Sequence, residues 1–353
     1  MKSKKQFLPI FFIILILCVL YVIFAARPLG TEYQFEPDWK ITVSNPTVSE
    51  KLPDDTPLYF KLGKTLGYFT EDGRVTHFSS FSYKASISQN YYTCYNENNV
   101  NSDFFTADGT RAGTIRASGF PMISDDRIFV FLPGGSAFVQ CDNTGKKLWE
   151  YSGTVPITAF DSSSGGCVAG FVDGSVYAFD PNGNVVQRFS PGGSNYPVIL
   201  GAAISEDASL VAVVSGQMRQ RFVLVRNDGV SSKIIFHEFL EDSDSFQRMV
   251  RFYDGDRKVV YSSGNMLGIV STEGGKSRHI HIKGQAIDMQ EAGNLIFVLL
   301  KEKKMYTVHI IEHFATLSGS FTFEADNAFI RTSGNNLYIG KDNTISKIHI
   351  TKK

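Results

Sequence analysis

Tryptophan is scarce in this chain, two residues among 353, and cysteine nearly so, with four. No two cysteines form a CxxC pair, which removes thioredoxin-type redox chemistry and cysteine-rich zinc sites. GxSxG, the P-loop and HExxH are all missing, and with them the nucleophile elbow, the phosphate cradle and the zinc-protease helix. Net charge is absent as well, 35 basic residues standing against 35 acidic ones. Lys2, Lys4 and Lys5 precede every acid, so the chain beyond residue 26 is mildly acidic. A nucleic-acid binder would show a basic stripe instead, and that partner class is excluded. Past residue 30 no helical apolar periodicity runs for any length, which excludes solenoids built from helical pairs.

What the chain holds in quantity is 29 Phe, 15 Tyr and 31 Gly. Residues 166–189, GCVAGFVDGSVYAFDPNGNVVQRF, set the pattern. An apolar strand, an Asp173-Gly174 turn, a second strand, an Asn182-Gly183 turn and a third strand follow one another. Asp-Gly and Asn-Gly supply the positive φ that tight hairpins need, and alternation supplies a face to bury. A polar residue followed by Gly recurs at Asp72-Gly73, Asp108-Gly109, Thr144-Gly145, Asn182-Gly183, Asp228-Gly229 and Glu273-Gly274. Those glycines stand 36, 36, 38, 46 and 45 residues apart. A period near 40 of strand and turn is that of propeller blades with four strands each.

Eight stretches read as the second strand of a blade: LYFKL (58–62), YYTCY (91–95), RIFVFL (127–132), CVAGFV (167–172), LVAVV (210–214), KVVYS (258–262), NLIFVLL (294–300) and NLYIG (336–340). The last blade lacks an outer strand, whereas WKITVS (39–44) at the other end lacks a blade. Pairing 39–44 with 344–350 closes the ring and removes two open edges. The expected fold is an all-β, eight-bladed propeller of four-stranded antiparallel blades. Seven blades is the alternative, because the marker is lost after Gly274.

Before the repeats, residues 7–26 form an uncharged run of twenty. At about 1.5 Å per helical residue this covers about 30 Å, the thickness of a bilayer core. The preceding lysines place the N-terminus in the cytoplasm by the positive-inside rule. A cleaved signal peptide ending at Ala25 or Ala26, or lipidation of Cys18, competes with a retained anchor. The length of the run favours the anchor. The expected organisation is a cytoplasmic tail (1–6), a transmembrane helix (7–26), a linker (27–38) and a propeller (39–353) on the periplasmic side of the inner membrane.

Residues 146–160, KKLWEYSGTVPITAF, followed by GGCVAGFVDGSVYAFDPNGNVVQRF, resemble the quinoprotein-like repeat of β-propellers. AISEDASLVAVVSG (203–216) resembles the corresponding turn of WD40-like members. The likeness covers 39–350 in layout and is sharp over 140–216. It implies a propeller fold and says little about function. Quinone-dependent enzymes of that family hold their cofactor above a tryptophan floor and carry a Trp in most blades. Here only Trp39 and Trp149 are present, and Phe189, Phe236 or Phe323 stand at comparable positions. In this the chain is similar to non-enzymatic members, among them a bacterial envelope propeller that assists outer-membrane protein assembly.

No catalytic, cofactor-binding or metal-binding residue is assigned, and the chain is not expected to be an enzyme. His279 and His281 share one face of a strand but lack a third ligand. His309 and His313 lie in residues that read as strand. Glu241 to Ser245 is acidic without the glycine and terminal glutamate of a calcium loop. Cys94, Cys141 and Cys167 fit strand cores better than a disulfide. Arg248, Arg251, Asp288 and Arg331 fall on innermost strands without forming a recognised catalytic set, so an enzyme or ligand sensor with a central site is the secondary reading. The leading expectation is a protein-interaction scaffold of the bacterial envelope, tied to the membrane by its helix. Its binding residues are Tyr196, Arg219, Arg221, Phe239 and Phe246, residue types that anchor interfaces and fall on the longer loops of blades four to six.

Overall fold

The computed structural model describes residues 7–25, 32–50, 56–96, 100–229, 231–241, 245–312 and 314–352; within the helix, side chains are described for 12–21. Eight antiparallel sheets follow one another along the chain, seven with four strands and one with three. Seven begin at Lys84, Phe120, Ile157, Ile199, Val250, Gln285 and Ala328 (blades 2 to 8); the three-stranded sheet, Leu58–Leu62, Thr65–Phe69 and Val75–Ser80, is blade 1. The eight expected second strands all appear, with ends shifted by at most two residues. In each full blade the chain runs outward from an inner strand, and the inner strands of neighbouring blades pack around the axis.

Closure joins the two ends of the chain. The strand Tyr33–Thr42 pairs antiparallel with Thr344–Lys352 and is the outer strand of blade 8, its register running from Tyr33 opposite Lys352 to Thr42 opposite Thr344. It begins six residues before the expected start at Trp39, so the strand takes over half of what was read as linker. Pro37 explains why this was hidden. The ladder shifts register between Pro37 and Lys40, and such a bulge accepts a residue without an N–H. Blade 1 departs in another way. Its marker turn, Asp72-Gly73, separates the second strand from the third rather than the third from the fourth, so by register the missing strand is the innermost. Leu58–Leu62 packs against the inner strands of blades 8 and 2 in its place.

The recurring turns explain the repeat physically. Asp142 accepts the backbone N–H of Thr144 at 2.9 Å and of Lys146 at 2.9 Å; Asp180 accepts those of Asn182 at 2.9 Å and Asn184 at 2.8 Å. Such carboxylate-capped turns pre-form the hairpin. The bonds, led by side-chain donors Thr70, Thr106, Thr144 and Asn184, hold the carboxyls of Asp72, Asp108, Asp142 and Asp180 below the usual carboxylate range.

Both tryptophans lock one blade to the next. Trp149 donates its indole N–H to the Pro181 carbonyl at 3.0 Å and lies against Gly183, where any Cβ would stand 2.5 Å from the ring. Trp39 donates to the Glu71 carbonyl at 3.0 Å and covers Gly73. Trp39 on the closing strand therefore does for blades 8 and 1 what Trp149 does for blades 3 and 4. The core between blades is aromatic around blades 3 and 4, where fully buried Phe138 meets Trp149, Phe160 and Phe179 edge-on. It is aliphatic around blades 5 to 7, as in Val211, Val213, Val223 and Val225. Cys141 and Cys167 are free thiols buried in two different clusters, which is the core role expected of them.

Helix α1 spans Phe7–Ala25. Among the described residues no helix is long and apolar enough to cross a membrane. The expected span is met by a helix, and its passage through a bilayer is taken up below as a proposal. The cytoplasmic tail, residue 26 at the end of the expected span and residues 27–31 of the linker lie outside the described residues.

Candidate functional site on the long-loop face

Strand direction divides the ring into two faces. The marker turns and the first hairpin of each blade emerge on one, the short-turn face. The second hairpin and the blade-to-blade connections emerge on the other, the long-loop face. The closing strand enters at Tyr33 beside Lys352, at the short-turn face, and ends near Asn343 on the long-loop face, where Val43 donates to the Asn343 carbonyl at 2.7 Å.

Three of the five expected binding residues meet on blade 5. Arg221 opens the strand Arg221–Asn227 and stands directly opposite Phe239, the last residue of Ser232–Phe239. The Arg219 guanidinium lies 4.2 Å from the Phe239 ring centre and that of Arg221 5.5 Å from it. Arg221 is fixed by donating to the Pro191 carbonyl at 2.7 Å. Gly193 lets the loop pass, because a Cβ there would press on both Arg221 and Phe239 at 3.2 Å. Among the described residues neither arginine closes an ion pair with a carboxylate. Arg219, stacked with its N–H fork unused, is pre-set for a carboxylate from outside.

Tyr196 borders this stack, its carbonyl accepting the N–H of Gln217 at 3.1 Å while its ring is 55% exposed. Met218, 72% exposed at the tip of the same turn, extends the apolar surface. Sequence reasoning passed it over, although an apolar residue at the tip of a hairpin was the available signal. Phe246 is brought elsewhere. It borders a groove of ≈ 430 Å³ with Arg248, Asn265, Ile282 and Lys283, between blades 6 and 7. Arg248 links the two areas by donating to Gln220 Oε1 at 3.1 Å. Four of the five residues thus form one neighbourhood, and Phe246 flanks it.

The other candidates resolve into structural roles or into the channel. His279 sits on the outer strand of blade 6 and pairs with Glu238 at 3.1 Å; Glu238 also accepts the buried Tyr261 hydroxyl at 2.5 Å. This is a clamp between blades 5 and 6, with His281 apart from it. His309 lies in the strand Met305–Glu312, and burial lowers its pKa. His313 and residues 242–244 lie outside the described residues. In the channel Arg331 pairs with Asp288 at 2.8 Å and stacks on Tyr59 at 4.2 Å.

Comparison with known proteins agrees with this architecture. The chain is 29% identical over 360 residues to an uncharacterized protein of Treponema pallidum (strain Nichols), covering 99% of this chain and 95% of that one. Among solved structures it is similar to BamB from Moraxella catarrhalis, with a TM-score of 0.61 at 14% identity, over 90% of this chain and 98% of that one. It is also similar to Hsv2 from the yeast Kluyveromyces marxianus, with a TM-score of 0.52 at 11% identity, over 76% and 95%. At such identities the two structures speak for the fold alone. The model of a beta-propeller protein family matches residues 1–353, and this chain belongs to that family.

Proposed function

We propose that this protein is a non-enzymatic, membrane-tethered scaffold of the bacterial envelope that holds a protein partner on its long-loop face. The observation that carries this reading is the Arg219–Phe239–Arg221 stack, with Tyr196 and Met218 exposed beside it. Aromatic and arginine side chains on rigid supports are the residues that dominate binding energy at interfaces. The geometry of the tether supports the same face. Helix α1, without a charged residue from Phe7 to Ala25, precedes the closing strand, and that strand starts at the short-turn face. A bilayer holding α1 lies on the short-turn side, leaving the long loops pointing away from it. In this proposal the N-terminus is cytoplasmic, α1 is retained in the inner membrane and the propeller is exported.

The test is affinity capture from a detergent extract with the wild type and with Tyr196, Arg219, Arg221, Phe239 and Phe246 all changed to Ala or Ser. A partner recovered with the wild type and lost with the variant, at unchanged melting, supports the reading. Equal recovery places the interface elsewhere. N-terminal sequencing checks the tether separately, since a mature chain starting near Arg27 would mean that the helix is removed.

A further inference from the structure

The channel holds two arginines from inner strands, Arg331 and Arg251, and they are treated differently. Arg331 has a carboxylate partner in Asp288 and an aromatic face in Tyr59. Arg251, on the inner strand Val250–Tyr253 of blade 6, has neither. Among the described residues its guanidinium makes no hydrogen bond and no ion pair, although Asp161 and Asp288 are both electrostatic neighbours. It reaches solvent inside a ring of protein. Arg251 and Asp161 line one recess of ≈ 170 Å³, walled by residues 158–161 of blade 4 and 247–251 of blade 6, and floored by Leu200, Gly201 and Ala202 of blade 5.

Asp161 is held from its own strand and from blade 5, by the backbone N–H groups of Ser162 and Ile204. Its Oδ2 accepts the N–H of Ile204 at 3.1 Å. Burial raises its carboxyl to about 6, against that bond and the charge of Arg251. The recess therefore presents an unused guanidinium fork opposite a carboxyl with acceptor capacity left. Its volume is that of about six waters, below the size of drug-like pockets.

We propose that this recess binds a small monocarboxylate that also carries a hydroxyl or ammonium group. Arg251 takes the carboxylate through its planar fork, the geometry in which Arg exceeds Lys. Asp161 accepts the hydrogen bond of the second group. Two nearby carboxylates disfavour a dianion such as phosphate, because like charges repel at short range. The site is distinct from the partner face on the outer loops of blade 5, and Arg248 in its wall also donates to Gln220 beside that face.

The experiment uses the full chain in detergent, titrated by calorimetry and by saturation-transfer NMR with glycine, lactate, acetate and inorganic phosphate. Glycine or lactate is expected to bind, and which of the two binds more tightly identifies the second group as ammonium or hydroxyl. Acetate is expected to be weaker by about tenfold, the loss of one good hydrogen bond, and phosphate weaker still. Arg251→Gln is expected to weaken binding by about tenfold or more, and Arg251→Lys by less, with the melting temperature of each checked first. Asp161→Asn should weaken glycine more than lactate. Binding of neither glycine nor lactate at about 10 mM, where even a millimolar site would be occupied, overturns the proposal. So does equal affinity in a folded Arg251→Gln or Arg251→Lys protein.

Discussion

The two faces of the ring are built in opposite ways. On the short-turn face the marker turns of blades 1 to 4 each have a carboxylate fixed to the turn, a glycine in the left-handed region and the preceding blade pressed against it. Gly145 (φ +86°) would place a Cβ 2.2 Å from the Thr114 carbonyl oxygen. On the long-loop face Gly134 (φ +94°) has no atom within 4 Å of such a Cβ. The two glycines share a backbone conformation and differ only in surroundings. The first turn is fastened to the blade beside it; the second is free to vary its residues while the ring stays intact, and turns of that kind are where recognition can be placed at little structural cost.

The comparison breaks if substitutions on the two faces cost the same. Gly145→Val should cost about 3 kcal/mol or more, combining backbone strain with a clash against a carbonyl that cannot move freely, whereas Gly134→Ala should cost about 1 kcal/mol from conformation alone. Chemical denaturation of both variants measures the difference, and equal losses would mean that the turns of the short-turn face are not fastened.

Carboxylates sharpen the contrast, because those of the turns and that of the channel move stability in opposite directions with pH. The turn carboxyls of Asp72, Asp108, Asp142 and Asp180 are lowered in the folded chain, so their contribution is present above the ordinary carboxylate range and is lost as pH falls through their folded values. Asp161 is raised to about 6 by burial. Its folded form holds a proton more tightly than the unfolded chain, so stability rises as pH falls from above 6 toward the ordinary value of about 4. Melting temperature should therefore climb from pH 7.5 to a maximum near pH 5 and then drop. Asp161→Asn should raise stability at pH 7.5 on the order of 1–3 kcal/mol and flatten that upper limb. An upper limb unchanged in Asp161→Asn would show that other groups cause it. Asp180→Ala should cost about 1 kcal/mol at neutral pH and less in acid. The smallest effect is expected on the long-loop face, where Arg219→Ser with Phe239→Ser should change stability by less than about 1 kcal/mol.

Blade number and closure were legible because six of the eight blades repeat one local rule, a polar residue, a glycine and an alternating strand, and local rules are written in consecutive residues. The start of the closing strand was not, since Pro37 looks like a strand breaker until its place at a bulge is known. Arg219, Arg221 and Phe239 were legible as a group because one hairpin carries them. Phe246 lies beside a neighbouring groove instead, as chain proximity on a long connection does not fix direction. Arg251 was legible as a charge on an inner strand, but the recess around it was not. It depends on Asp161, Gly201 and Arg251, three residues from three blades with nothing periodic to connect them, and on Arg331 having claimed Asp288 first.

The closing strand also fixes how the ring bears force. Tension entering through α1 reaches the propeller at Tyr33 and runs along Tyr33–Thr42, whose ladder bonds to Thr344–Lys352 lie across the strand. Resistance from something held on the long-loop face pulls from the far end of the ring, parallel to that strand. The bonds are then loaded in shear, all together, with the Trp39 side chain wedged against blade 1 as a further stop. A pull directed sideways from Tyr33 would instead peel the strand off one pair at a time. The seam that completes the fold is thus strong along the axis from the proposed tether to the proposed binding face and weak across it.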